Sequence, residues 1–130
     1  MGVVYEAHDQ CGGRPCALKL LREDLPSQHY ATLRRGFLRE MYIAALLYHP
    51  NVIALHDCGH LPDGRPFMVM ELLTGSDLWS LLQQSPRLSL DHTFQIVAQI
   101  GHALHHAHQH HVIHRDIKPA NIFLSTPAGP

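Results

Sequence analysis

Short apolar stretches separated by turn residues open this chain, and longer stretches with helical periodicity follow them. Runs of β-branched and other apolar residues predict strands, whereas apolar positions three and four residues apart predict helices. In the first half the pattern predicts four strands, at residues 3–5, 15–21, 52–60 and 66–71, and one helix at residues 27–48. The helix ends before Pro50 because proline disfavours helical backbone in the residue that precedes it.

The second half of the chain carries only helical patterns. A short helix is predicted over residues 76–84 and a longer one over residues 89–111, and a segment with a proline at position 86 separates them. Strands with a single helix, followed by helices, are typical of an α+β fold. We therefore predict two lobes with a break within residues 71–75.

Composition narrows the class of protein further. The chain has 130 residues, of which 45% are hydrophobic, and its formal charge is −1. No apolar run reaches the length of about 20 residues that a membrane span needs. The near-neutral charge predicts neither a nucleic-acid partner nor an anionic membrane surface. Three cysteines without a C-x-x-C pair predict reduced thiols and a cytoplasmic protein.

Two charged residues stand at positions where the pattern expects apolar ones. Glu40 falls on the same helix face as Phe37 and other apolar residues, although the helical wheel alone also allows a glutamate that reaches water. Lys19 interrupts an apolar strand and is one of two lysines in the chain. A buried charge without a partner is costly, so we expect Lys19 and Glu40 to pair with each other.

Polar and ionisable residues are concentrated just after the long predicted helix. Five such residues occur within residues 114–121, next to the apolar pair at 112–113. Pro119 excludes a continued helix, so these side chains are predicted to lie on a loop. A surface loop of mixed charge would explain the polarity but not the spacing of Asp116 and Asn121.

That loop resembles the catalytic loop of protein kinases. His114, Arg115, Asp116 and Asn121 match the pattern H-R-D-x-x-x-x-N without a mismatch. Lys118, two residues after the aspartate, is similar to the serine/threonine subgroup, and the chain as a whole resembles the bacterial kinases of that type.

Other segments resemble kinase motifs in the order in which that family has them. They are residues 2–4 (the end of the glycine-rich loop), 17–19 (the end of V-A-I-K), 49–51 (the H-P-N after helix C) and 68–73 (the fifth strand entering the hinge). Glu40 falls where the helix C glutamate is expected. The resemblance implies a partial two-lobe kinase fold: an N-lobe over residues 1–70 that lacks its first strand, a hinge over 71–75, and the start of a C-lobe over 76–130.

The resemblance also implies a role for each matching residue. ATP and Mg²⁺ would be the cofactors, and a protein Ser or Thr hydroxyl would be the substrate. Lys19, oriented by Glu40, would hold the α- and β-phosphates, and Lys118 would steady the γ-phosphate. Asp116 would accept the hydroxyl proton, and Asn121 would bind Mg²⁺.

A second group of residues is implied for the nucleotide itself. Val4, Ala17 and Leu73 would line the adenine pocket, and backbone groups of Glu71 and Leu73 would bond the base. The resemblance further assigns Gly2 to the glycine-rich loop, Met70 to the gatekeeper position and Asp77 to the ribose.

The pattern departs from the family at both ends. Two of the three glycines of the glycine-rich loop and the D-F-G motif do not occur in the 130 residues. The sequence is therefore interpreted as a partial kinase domain, which we expect to transfer phosphate poorly or not at all by itself.

Two other functions remain open at the level of sequence. The first is a non-catalytic kinase-like module that binds a nucleotide or a partner. The second is metal binding by His102, His106 and His110, which are spaced four residues apart in a chain with thirteen histidines.

Overall fold

A computed structural model describes residues 2–22 and 27–126, with side chains from residue 29 onward in the second range. Its contacts divide the chain into two compact units, one up to residue 72 and the other from residue 73. The first unit is a sheet with one helix, and the second is mostly helical. The predicted α+β composition is thereby confirmed. The assignment of these units to kinase lobes stays a prediction.

The first unit is an antiparallel sheet with one long helix. Its elements are β1 (Gly2–Asp9), β2 (Arg14–Leu21), α1 (Ser27–Leu46), β3 (Leu55–His60) and β4 (Pro66–Glu71), and the strand order is β1-β2-β4-β3. Strand β2 therefore has a partner on each side. Val4 of β1 lies opposite Lys19 of β2, and Met70 of β4 lies opposite Ala17 of β2. The two central strands carry the buried side chains.

A small apolar core joins α1 to the sheet. Leu21, Phe37 and Met68 are fully buried, and Ala17 and Met70 complete the cluster. Phe37 is the residue of α1 that enters this core, whereas most other apolar residues of the helix are only partly covered. Burial of one large aromatic side chain contributes a substantial apolar area, so Phe37 is the main apolar anchor of α1 on the sheet.

Several element boundaries of the first unit differ from the sequence-based prediction: β1 spans Gly2–Asp9 rather than residues 3–5, and β2 begins at Arg14 rather than at residue 15. Helix α1 ends at Leu46 rather than at residue 48, and β3 begins at Leu55 rather than at residue 52. The connecting segment forms a turn instead, in which the Val52 amide donates to the His49 carbonyl at 2.9 Å. Val52 has the intrinsic preference of a strand residue, but the tertiary context places it before the strand.

The second unit contains two helices and a short two-stranded sheet. Its elements are β5 (Gly75–Asp77), α2 (Leu78–Gln84), α3 (Leu90–Gln109), a 3₁₀ turn (Pro119–Asn121) and β6 (Phe123–Ser125). The predicted helix over residues 76–84 therefore begins two residues late, because Ser76 and Asp77 pair with β6. Gly75 has φ of 140°, and a Cβ there would overlap the Leu124 carbonyl oxygen, so this close approach requires glycine.

Helix α3 ends in a left-handed residue that is not glycine. His111 has φ of 58°, its amide donates to the His108 carbonyl, and the Val112 amide donates to the Ala107 carbonyl. This pair of hydrogen bonds satisfies two carbonyl groups at the end of the helix. Glycine is the residue that usually occupies such a position, because a Cβ there contacts the backbone.

We expect His111→Gly to raise the free energy of unfolding by about 1 kcal/mol, because glycine adopts a positive φ without the contact between Cβ and backbone. Urea unfolding followed by circular dichroism measures the change. His105→Gly, at an exposed position inside α3, is the matched control and should lower stability. A His111→Gly protein no more stable than the parent would contradict the prediction.

Candidate active site

The first unit brings Lys19 and Glu40 together, as the sequence predicts. The Lys19 Nζ lies 2.5 Å from the Glu40 Oε1, and the ion pair joins strand β2 to helix α1. The lysine side chain is 18% exposed and the glutamate side chain is 43% exposed. Glu40 is therefore neither an unpartnered charge in the core nor a fully solvated one. Its place on the apolar side of α1 is explained by the lysine.

The Lys19 side chain has two further neighbours. The Phe37 ring centroid lies 5.9 Å from Nζ, within the range of a cation–π contact. The strand residue Gly2 also lies close, because a Cβ there would be 3.3 Å from the Lys19 Cε and Cγ atoms and 2.8 Å from the Leu20 carbonyl oxygen. Gly2 thus lets β1 run close over the lysine, a feature that the wheel and strand patterns do not reveal.

The other predicted nucleotide residues of the first unit lie along the same strands. Ala17 and Met70 are buried neighbours on β2 and β4, whereas Val4 on β1 is 57% exposed. Glu71 ends β4. Its amide donates to the Ala54 carbonyl at 3.0 Å, and its Oε1 accepts from the Ala54 amide at 2.7 Å. This pair of hydrogen bonds fixes the end of β4 to the segment before β3. The adenine contact of the Glu71 backbone remains a prediction.

In the second unit, Leu73 is half-buried and Asp77 caps helix α2. The Asp77 Oδ1 accepts from the Ser80 amide at 2.9 Å, and Oδ2 accepts from the Ser80 hydroxyl at 2.7 Å. The pKa of the Asp77 carboxyl is held below its usual value, most of all by the hydrogen bond from the Ser80 hydroxyl and next by the hydrogen bond from the Ser80 amide. Aspartate before an apolar run is an N-cap signal that was present in the sequence. The capping bonds do not test the predicted contact between Asp77 and the ribose, which stays a prediction.

The catalytic-loop candidates converge on Asp116. The Lys118 Nζ donates to the Asp116 Oδ2 at 2.9 Å, and the Asn121 Nδ2 donates to the same oxygen at 3.1 Å. The pKa of the Asp116 carboxyl is lowered, most of all by the hydrogen bond from Lys118 and next by the hydrogen bond from Asn121. The carboxylate is more than half exposed and is ionised at neutral pH. The structure thus brings together Asp116 and Asn121, which the spacing singled out, and Lys118, which the resemblance added.

The backbone around Asp116 is shaped by its two predecessors. Arg115 has φ of 64°, in the left-handed region, and the Asp116 amide donates to the His114 Nδ1 at 3.3 Å. This bond ties the His114 ring to the backbone of the residue two positions further on. A non-glycine residue with positive φ next to a polar cluster is a local strain that fits a functional loop.

Asn121 has the geometry of a residue that presents an oxygen. Its Nδ2 donates to the Asp116 Oδ2 and, at 2.8 Å, to the Asp116 backbone carbonyl. With the nitrogen engaged twice, the amide oxygen is the atom left to act as a ligand. An amide oxygen beside a carboxylate is a donor set that suits a hard cation such as Mg²⁺, so these residues fit the metal that the resemblance implies.

The histidines of α3 do not gather into a metal site of three ligands. Within residues 2–22 and 27–126, no group of three or more histidine, cysteine or acidic side chains could hold a metal ion. The His106 and His110 rings lie 4.6 Å apart, and the His110 Nδ1 is 2.9 Å from the His106 carbonyl oxygen, to which it can donate.

In the same described ranges, no helix is both long enough and apolar enough to cross a membrane.

Comparisons with known proteins agree with the motif order. The family model of the protein kinase domain matches residues 1–129. The chain is 40% identical to the serine/threonine-protein kinase PknA of Mycobacterium tuberculosis over 99% of this chain and 30% of PknA. It is 39% identical to the DNA damage-responsive serine/threonine-protein kinase RqkA of Deinococcus radiodurans over 98% of this chain and 19% of RqkA. With PknE of Mycobacterium tuberculosis the identity is 41%, over 96% of this chain and 22% of PknE. The chain spans less than a third of the length of each of these relatives.

We expect Lys118→Met to raise the pKa of Asp116 toward the ordinary aspartate value of about 4, because the Lys118 hydrogen bond is the largest cause of the lowered pKa. Asn121→Ala should raise that pKa as well, but by less. An NMR titration of the side-chain carboxyl carbons measures both. The pKa of Asp63, which Arg65 lowers elsewhere in the chain, should stay the same in both variants. An unchanged Asp116 pKa in Lys118→Met would contradict the expectation.

Proposed function

The chain belongs to the protein kinase family, and from that premise we propose that it supplies nucleotide-binding and catalytic residues of a serine/threonine protein kinase. The reaction is transfer of the ATP γ-phosphate to a Ser or Thr hydroxyl of a protein. The observation that carries the proposal is the convergence of Lys118 and Asn121 on the Asp116 carboxylate. That arrangement offers a base, a cation and a metal-ligand oxygen within a single loop.

Asp116 is the group that handles the proton. Its carboxylate is ionised and held at a fixed oxygen by two donors, which leaves the second oxygen to orient the attacking hydroxyl. The hydroxyl oxygen forms the new bond to phosphorus while the bond to the ADP oxygen breaks, and the hydroxyl proton passes to Asp116. Lys118 can donate to a γ-phosphate oxygen as well as to Asp116, because its ammonium has three donors.

Lys19 is the group that binds phosphate in the first unit. One of its three N–H donors is used by Glu40, and the others are free to meet the α- and β-phosphate oxygens. Glu40 sets the direction of the ammonium and does not touch the substrate. The apolar neighbours Ala17 and Met70 are suited to the adenine ring, and Gly2 to a close passage of the chain over the phosphates.

Mg²⁺, when bound, neutralises phosphate charge and holds the phosphate oxygens in position. The Asn121 oxygen is the ligand that this chain would contribute. Since the donor is ATP and the acceptor a protein hydroxyl, a nucleic acid has no part in the reaction. A cytoplasmic site of action belongs to the same proposal, because ATP is the phosphate donor.

Nucleotide binding tests the first step with the chain itself. We expect a fluorescent ATP analogue to bind in the presence of Mg²⁺ and to be displaced by ATP. Lys19→Met should weaken binding by about tenfold or more, because it removes a charge-assisted bond to phosphate. Asp57→Asn, at an exposed acid on β3, is a control that should leave binding unchanged. Equal binding by Lys19→Met and the parent chain would overturn the role of Lys19.

Phosphate transfer tests the second step in a complete kinase. In PknA, we would replace the matching segment with residues 2–126 of this chain. Transfer of phosphate from radiolabelled ATP to a protein acceptor would then be measured. Asp116→Asn should lower kcat by about 10²–10⁴-fold with little effect on nucleotide binding, because it removes the base. If the exchanged protein binds ATP and does not transfer phosphate, the chain is a non-catalytic nucleotide-binding module.

A further inference from the structure

The Lys19 ammonium has one acidic and one aromatic neighbour, and the fold holds these two side chains with different firmness. Glu40 pairs with Nζ, but its side chain is 43% exposed, so water competes for the carboxylate and the side chain keeps rotational freedom. Phe37 is fully buried, and Nζ stands over its ring at 5.9 Å from the centroid. Of the two neighbours, the ring is therefore the one whose position the packed core fixes.

The alternation of strand β2 explains why a lysine meets a ring of the core. Ala17, Lys19 and Leu21 are two residues apart in this strand, so their side chains leave the same face of the sheet. Ala17 and Leu21 belong to the core cluster with Phe37. Met68, directly opposite Lys19 on β4, belongs to the same cluster. The stem of the lysine thus leaves the sheet on its apolar face, beside the core.

Helix α1 presents the ring and the carboxylate together. Phe37 and Glu40 are three residues apart, so both side chains lie on the side of the helix that meets β2. The ring is part of the buried core, whereas the carboxylate reaches water. A shift of the helix would move both groups relative to the ammonium. The position of the Lys19 charge therefore depends on how Phe37 is packed.

The ring can hold a charge in a way that another apolar side chain cannot. The face of a phenyl ring carries the negative part of its quadrupole, and it attracts a cation most strongly where water is excluded. The Lys19 side chain is only 18% exposed, which meets that condition. A leucine at position 37 would still bury apolar area, but it would offer the ammonium no such attraction.

We infer that Phe37 is a positioning residue for phosphate binding, because its ring face holds the Lys19 ammonium where the phosphates of the nucleotide meet it. The inference rests on the phosphate-binding role of Lys19 proposed above, and Phe37 acts through Lys19 alone. An ammonium that occupies the binding position for part of the time lowers the apparent affinity in proportion to that fraction. Loss of the ring attraction therefore weakens the hold on phosphate and leaves the hold on adenine unchanged.

The test changes the charge of the ring face and keeps its shape. In Phe37→trifluorophenylalanine, the fluorine atoms withdraw electron density from the ring face, so the cation is attracted less. Competition against the fluorescent ATP analogue gives the affinities for ATP and for adenosine, which has no phosphates. We expect the affinity for ATP to fall about threefold and that for adenosine to stay the same.

The same replacement at Phe67 is the matched control. Phe67 lies on β4 opposite Leu20, one position from the pair of Met68 and Lys19, so its side chain leaves the other face of the sheet. Phe67→trifluorophenylalanine should leave both affinities unchanged. An equal loss of ATP and adenosine affinity in the variant at Phe37 would overturn the inference, because a merely structural defect of the pocket weakens both ligands alike.

Urea unfolding measures the contact between ring and ammonium without a nucleotide. The replacement at Phe37 should raise the unfolding equilibrium constant about threefold in the parent chain and leave it unchanged in Lys19→Met, where no cation faces the ring. An equal rise in both backgrounds would also overturn the inference.

The two proposals fail in different ways. If Lys19→Met loses affinity for ATP while the fluorinated chain keeps it, the role of Phe37 is overturned and the role of Lys19 stands. If Lys19→Met binds ATP as the parent chain does, the phosphate-binding role of Lys19 fails, and the role of Phe37 fails with it.

Discussion

The ion pair between Lys19 and Glu40 is the constraint on which the first unit depends. It is the point where a charged group of the central sheet meets a charged group of the helix, at 2.5 Å and with the lysine mostly covered. A partly buried charge keeps its place only while its partner is present, so strand β2 and helix α1 must hold a defined register. Phe37 supplies the apolar contact that brings the helix close enough for the pair to form. The Lys19 ammonium is therefore oriented by the fold itself.

The loop around Asp116 is organised by a different kind of constraint, one that is local. Asp116 receives bonds from Lys118 and Asn121, and its amide donates to His114, all within eight residues of sequence. A left-handed Arg115 and a 3₁₀ turn at Pro119–Asn121 give the backbone the curvature that these bonds need. Short-range hydrogen bonds of this kind require little support from a core, which suits a loop whose side chains are mostly exposed.

The sequence predicted the bounds of an element correctly where the alternation of its buried and exposed residues has a single physical cause. Strand β4 was predicted over residues 66–71 and occupies those residues, because its buried face alternates strictly. Strands β5 and β6 were missed, since three residues carry no periodicity and the two segments are nearly fifty positions apart in sequence. The capping role of Asp77 was also missed, because the same aspartate was assigned to a ligand by resemblance while its local partner is Ser80.

The sequence by itself determined the family and the order of the longer elements, and it singled out the candidate site residues, because motif spacing and apolar periodicity are written along the chain. It also indicated that Lys19 and Glu40 would be partners, since neither charge could be left alone. Tertiary structure alone decided that Gly2 passes close to the lysine and that Glu71 is tied to Ala54. Those features join residues far apart in sequence, and their distances depend on how strands and helix pack, which no local pattern encodes.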